Sequence, residues 1–394
     1  MNIRVKAKVI MVSLFLLPIM TIESKAQRDS IVSRIIEEGK SHNLTMDHLD
    51  VLTNRIGGRV CGSDAYENAT FWAANLFRKW GLNVIVQAVD TFPVGFNRGP
   101  WFGRMLSEDG YVLHFATPSY TAGTKGVQRG HVVLEPKTKE EFNRMKGKLK
   151  GAWVLITGES DGFPIDYSTF ADEERHRIIK ENEDIVKYND SIKRWNDNNP
   201  RKEQKELKPL KDSPALFYKE MREAGILGII QSAKVPLRAL YDKKNLFLMS
   251  FDSLPTCPDI KLDEEQYNNI LKKVKERRYF QLEFDIRNHF KPGPVVVHNV
   301  IGEIKGSVYP DEYVMCGGHL DSYDVATGAV DCGSGVAPTL EAARLVATSG
   351  AKPKRTLLFC LWAGEEFGLR GSEYWVRTNP EKLVKISNYF NRDG

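Results

Sequence analysis

The chain has 394 residues, 42% of them hydrophobic and 27% charged, enough apolar material for a globular core and too long for one average domain, so two domains are expected. Its 56 basic and 51 acidic side chains leave a net charge of +5 spread along the chain without a basic helix, arm or aromatic-interleaved patch, which argues against nucleic-acid binding. The long apolar stretch Val9 to Ile22 is broken by Pro18 and lies at the N-terminus, which excludes a polytopic membrane protein, and five cysteines without CxxC spacing exclude a disulfide scaffold.

Arg4, Lys6 and Lys8 precede that apolar run, and Ser24-Lys25-Ala26 puts small residues at the −3 and −1 positions before Gln27. This is the build of a cleavable secretory signal over residues 1–26, with an uncleaved anchor as the alternative. No cysteine stands near the cleavage point to take a lipid. After signal removal no membrane association is expected, and the location is secreted or periplasmic.

Residues 30 to 80 read as helical. In Asp64 to Trp80, Asp64 and Glu67 form an Asp-x-x-Glu capping pair, Ala69, Ala73 and Phe77 make one column, Trp72, Leu76 and Trp80 the next, and Gly81 is the stop. Val84 to Val89 reads as a strand. From about Gly110 short β-runs separated by glycine follow, at 130–134 and 151–156, then a helix at about 215–224 and a strand at 226–230. Residues 172–212 are almost all polar or charged, a solvated insertion expected as a helical hairpin and loop. Pro292-Gly293-Pro294 marks a crossing into a different unit, where the pattern becomes strand, loop, helix, strand, the signature of an α/β layer.

That last unit carries the chemistry. A strand over 312–316 runs through two glycines into His319-Leu320-Asp321, where Asp321 can accept the proton of the second imidazole nitrogen. Alone, a His-x-Asp at a strand end is more often structural. Gly328 to Gly335 is a glycine-rich turn holding Asp331, feeding a helix with Val336, Leu340, Ala343 and Ala347 inward. The run 357–362 is apolar on both faces, hence a central strand, and ends in Ala363-Gly364-Glu365-Glu366. Adjacent carboxylates at a buried strand end are costly unless a cation meets them. A final strand over 386–390 ends in Asn391-Arg392-Asp393. His319, Asp331, Glu366 and Asp393 therefore fall at strand ends on one sheet edge, and one histidine with carboxylates suits zinc, with cobalt or manganese as substitutes.

Gly318-His319-Leu320-Asp321-Ser322, Gly328-Ala329-Val330-Asp331, Trp362-Ala363-Gly364-Glu365-Glu366 and Asn391-Arg392-Asp393-Gly394 together resemble the motifs of the co-catalytic zinc peptidases of the M28 type. The likeness extends to Gly57-Gly58-Arg59-Val60-Cys61-Gly62-Ser63. It implies an α/β fold with a mixed, mostly parallel sheet flanked by helices and an inserted β-rich lobe similar to a protease-associated domain. The division expected is 27–110 and 292–394 for the peptidase unit and 111–291 for the insertion. The resemblance further implies two zinc ions, with His319 on one, Asp331 bridging both, Glu366 on one and Asp393 on the other, and Glu365 as general base; Asp321, as the carboxylate that orients His319, is expected with Glu365 among the catalytic residues. The family's fifth ligand is a histidine well downstream of the last motif. No histidine follows His319 here, so the chain is expected to be C-terminally incomplete. Cys332 stands where an asparagine or aspartate is common; its thiol is a bystander or a metal ligand, the former favoured. The function expected is an exopeptidase acting on short peptides, with a homodimer left open. The alternative is a non-catalytic binding protein or an inactive truncated product on the same fold.

Overall fold

The structure is a computed structural model that describes residues 30–107 and 109–393. The expected leader, 1–26, lies outside the described residues. Among those residues no helix is long and apolar enough to cross a membrane.

Helix α1 is described over residues 30–41, and α2 (Thr45–Asp50) continues into a π-helical turn, Val51–Ile56. Helix α3 (Asp64–Lys79) buries Ala69, Ala73 and Phe77 as its periodicity dictates. Its cap differs from expectation: the Ser63 hydroxyl accepts the Tyr66 N–H at 3.0 Å, one residue earlier than the Asp64 cap read from sequence. Asp64 instead pairs with Lys291 at 2.8 Å.

The short strand expected at 84–89 is the start of β1 (Asn83–Leu106). Then come β2 (Phe115–Ala116), β3 (Gln128–Leu134), α4 (Lys139–Leu149), β4 (Ala152–Glu159), α5 (Thr169–Asn198), α6 (Tyr218–Glu223), β5 (Gly228–Ala233), α7 (Lys243–Leu248), β6 (Asp259–Asp263) and α8 (Glu264–Lys275). Strand β7 (Gln281–Ile304) pairs antiparallel with β1 almost end to end. The chain closes with β8 (Tyr309–His319), α9 (Ser334–Thr348), β9 (Arg355–Trp362), α10 (Arg370–Thr378), α11 (Pro380–Leu383) and β10 (Ile386–Asn391).

The sheet order is β10-β8-β9-β7-β3-β4-β5-β6-β2, with β1 paired to β7 off this path. β10, β8 and β9 are mutually parallel, as are β3 to β6, while β7 runs antiparallel to its neighbours. The fold class expected from sequence, mixed α/β with helices flanking the sheet, is the one observed.

The crossing expected at Pro292-Gly293-Pro294 is made inside one strand. Leu282, Phe284 and Ile286 of β7 belong to the core of the β-rich lobe, whereas Val297 and Val300 belong to the core beneath β8 and β9. The prolines are tolerated because the β1–β7 ladder shifts register between Phe92 and Val94, where no main-chain donor is required.

The polar insertion is not a helical hairpin. It is one 30-residue helix, α5, with a return segment laid along it. Asn182, Asn189 and Asn196 each donate from the side-chain amide to a main-chain carbonyl and accept the N–H of the same residue, Lys211, Lys208 and Lys205 in turn. Seven helical residues rise about 10.5 Å. Three residues of extended chain span about 9.3 Å. The two spacings nearly match, so the ladder stays in step. The Lys205 and Lys208 ammonium groups sit 4.1 and 4.3 Å from the ring centres of Trp195 and Tyr188.

Candidate metal centre

The parallel trio β10-β8-β9 brings three strand ends to one edge: His319 lies opposite Trp362, and Asn391 opposite Gly317. The segments just beyond those ends carry the carboxylates. His319 is 3% exposed, and its Nε2 is 2.8 Å from Asp331 Oδ1 and 3.3 Å from Asp393 Oδ1. The Cys332 thiol completes a trio with His319 and Asp393 whose donor atoms lie within 4.8 Å of one another, and it donates to the Arg392 carbonyl at 3.1 Å.

Two further groups set this geometry. Arg59, fully buried, donates to the carbonyls of Leu320, Thr327 and Gly328 at 2.5, 3.1 and 3.0 Å, fixing the loop between His319 and Asp331. Burial lowers its guanidinium to about 10. Gly328 turns that loop at φ +62°, and a Cβ there would come within 2.5 Å of Ser322 and the Arg59 guanidinium.

Asp321 has a different role from the one expected. The closest partner of His319 Nδ1 is its main-chain carbonyl, at 3.0 Å, with the carboxylate at 3.5 Å. The carboxylate oxygens accept the main-chain N–H groups of Glu365 and Glu366, at 3.1 and 3.3 Å. Asp321 is fully buried and does not line the cavity, so it acts on the site by tying the β8 end to the segment after β9.

Glu365 lines a cavity of about 190 Å³ with His319, Asp393, Trp362, Leu369 and Tyr389. Glu366 is not among its lining residues and sits beside aromatics that sequence reasoning missed. The Tyr241 hydroxyl, from the segment between β5 and α7, donates to the Glu366 carbonyl, and its ring stacks on Phe367 and Tyr323 at 4.1 and 5.5 Å. One carboxylate oxygen of Glu366 is buried without a hydrogen-bond partner among the described residues.

The electrostatics are those of a concentrated negative charge. Burial, then Asp331 and Asp321, push the Glu366 carboxyl up to about 8. Glu365 is raised too, by burial and by Asp321, Asp393 and Asp331. Burial works against the His319 imidazolium, but hydrogen bonds to and charges on Asp321 and Cys332 outweigh it, pushing the group up to about 12. Folding thus tightens the hold of Glu366 on its proton. Its contribution to metal-free stability is full below the ordinary value of 4.5 and is lost as pH rises through about 8. The Tm of chelator-treated protein should fall between about pH 5 and 8, and Glu366→Gln should flatten that slope; equal slopes in the two proteins would contradict the assignment.

The donor set fits a zinc ion. Two ligands each about 2.0–2.1 Å from a tetrahedral zinc lie about 3.3 Å apart. The His319–Asp393 and His319–Asp331 separations are 3.3 and 2.8 Å. His319, Asp331 and Asp393 could hold one ion, and the orphaned oxygen of Glu366 is a candidate donor to a second.

Residues 299–394 match Peptidase family M28. Over 101 residues the chain is 44% identical to "Probable glutamate carboxypeptidase VP8" of Zea mays, covering 25% of this chain and 14% of that protein. Over 95 residues it is 42% identical to "Carboxypeptidase Q" of Mus musculus, covering 24% of this chain and 20% of that protein. The matched regions thus span a seventh to a fifth of those relatives. The fold is similar to the crystal structure of a Peptidase M28 precursor from Shewanella amazonensis SB2B, with TM-score 0.51 and 20% identity, covering 93% of this chain and 74% of that one.

Proposed function

We propose that the protein is a secreted or periplasmic zinc-dependent exopeptidase that hydrolyses the peptide bonds of short peptides. The observation that carries this reading is the convergence of His319, Asp331, Asp393, Glu365 and Glu366 at the ends of three neighbouring strands, with a partnerless buried carboxylate oxygen among them. The M28 match over 299–394 and the carboxypeptidase names of the relatives supply the reaction class.

His319, Asp331 and Asp393 would hold one zinc, and Asp331 and Glu366 would hold a second. Bound zinc acidifies a water and polarises the scissile carbonyl. Glu365, on the cavity wall and raised by its surroundings, takes the proton of the attacking water and returns it to the leaving amine. Asp321 keeps Glu365 and Glu366 in register with His319 through the two main-chain N–H groups. Trp362, Leu369 and Tyr389 give the cavity an apolar wall for a side chain flanking the scissile bond. The β-rich lobe over 111–291 is a protease-associated-like cover, a reading supported by the reach of Tyr241 from that lobe to the Glu366 carbonyl.

Hydrolysis of dipeptides and of aminoacyl p-nitroanilides should be abolished by 1,10-phenanthroline and restored by added zinc. Turnover that survives complete removal of metal would refute the proposal.

A further inference from the structure

Strand β3 pairs with β7 only as far as Gly130, which lies opposite Leu282. Beyond it, residues His131 to Leu134 pair on one side alone, with β4. The Glu135 N–H donates to the Leu155 carbonyl at 3.0 Å. Because successive residues of a strand present their main-chain groups to alternate sides, 131 and 133 also face β4, and the N–H and C=O groups of Val132 and Leu134 face the open side. Among the described residues no strand pairs with that side.

The open edge is recessed between two helices. Met145 and Arg144 of α4 stand on one flank, Leu271 and Val274 of α8 on the other, and the groove between them measures about 730 Å³. Native proteins usually cover or distort a free sheet edge. Here the flanking helices keep a second sheet away yet leave room for one extended chain. The charged lining is mostly basic, with Lys137, Arg144, Lys148 and Lys275 against Glu135 and Glu141. Arg144, Lys148 and Lys275 border it without an ion pair among the described residues. The acidic groups nearby are already engaged: Glu135 pairs with Lys137 at 2.8 Å, and Glu141 accepts the Lys137 main-chain N–H at 2.8 Å.

We propose that this edge docks an extended peptide segment rich in acidic side chains, which joins the sheet as an additional strand. Its main chain pairs with Val132 and Leu134, its apolar side chains lie on the face of Leu271 and Val274, and its carboxylates, on the opposite face of the added strand, meet Arg144 and Lys148. Main-chain pairing supplies affinity and the flanking pockets supply selectivity, as in other strand-addition sites. The proposal does not depend on the metal centre.

The test uses the full chain and a fluorescein-labelled, N-acetylated, C-amidated peptide of alternating glutamate and valine, with fluorescence anisotropy as readout. A peptide with lysine in place of glutamate should bind at least about tenfold more weakly, and the binding should weaken with salt. The double variant Arg144→Glu, Lys148→Glu changes only exposed side chains. It should keep the wild-type Tm and lose at least about tenfold in affinity for the acidic peptide. Hydrogen exchange at the Val132 and Leu134 amides should slow when that peptide is bound, and a backbone N-methylated version should not bind. Equal binding of the two peptides, undiminished binding by the double variant or by the N-methylated peptide, unchanged exchange at those amides, or no binding of the acidic peptide would each overturn it.

Discussion

Glu365→Gln is expected to leave zinc bound and to lower turnover of dipeptide and aminoacyl substrates by roughly 10²- to 10⁴-fold, the usual contribution of a positioned base. The amide has nearly the volume of the carboxylate, so the cavity wall it shares with Trp362 and Leu369 keeps its shape. The main-chain N–H that Asp321 holds at this position is untouched by the change. What disappears is the ability to accept a proton. The neighbouring change, Glu366→Gln, should behave differently, because that side chain is not among those lining the cavity, feels the charge of Asp331 and carries the orphaned oxygen; metal and activity should fall together. The two stand in the bend and turn that follow β9, and of the two Glu365 alone is among the residues lining the cavity. A Glu365→Gln protein that loses zinc while Glu366→Gln retains it would reverse the two roles. Full hydrolysis in both variants would place the catalytic centre elsewhere.

His319→Ala should remove the ion held by His319, Asp331 and Asp393 and abolish hydrolysis with it. The imidazole is the one nitrogen donor of that nest, it is buried, and Asp331 and Asp393 meet across its Nε2. Without it the two carboxylates, more than half exposed, lose the partner they share. Asp321→Asn gives the graded comparison. Its side chain lies outside the ligand set, stands 3.5 Å from His319 Nδ1 and holds the 365–366 segment, and a change of that kind costs roughly 10- to 100-fold in metal affinity. Titration with a zinc-competing chromophore separates the two: His319→Ala should eliminate one binding step, and Asp321→Asn should shift it.

Much of the site can be read from the sequence because each contributing strand announces itself twice, by an apolar run and by the residues that end it. The run 357–362 is apolar on both faces, and β9 (Arg355–Trp362) is the central strand it implies. The glycines before His319 and around Asp331 mark the turns at which the chain leaves the sheet. What escapes the sequence is long-range. Tyr241 reaches Glu366 across 125 residues, and nothing local in the 234–242 segment distinguishes it from any other partly polar loop. Arg59 stands in a recognisable glycine-flanked motif, but three of its hydrogen bonds go to carbonyls more than 260 residues away, which only tertiary structure reveals. The β1–β7 ribbon is hidden by its own prolines, which signal a break that the register shift absorbs. The insertion did carry a legible signal: asparagines at 182, 189 and 196 and lysines at 205, 208 and 211 repeat at seven and three residues, the periods of a helix laid against an extended chain.

The central claim is that His319, Asp331, Glu366 and Asp393 form a zinc centre, and the most direct measurement is the metal content of the folded protein after exhaustive dialysis against metal-free buffer, determined by elemental analysis. The expected result is between one and two zinc ions per chain. The ion held by His319, Asp331 and Asp393 should be retained, and the second, with Asp331 and Glu366, more readily lost. A zinc content near zero in folded protein, with none taken up on adding zinc back, would contradict it.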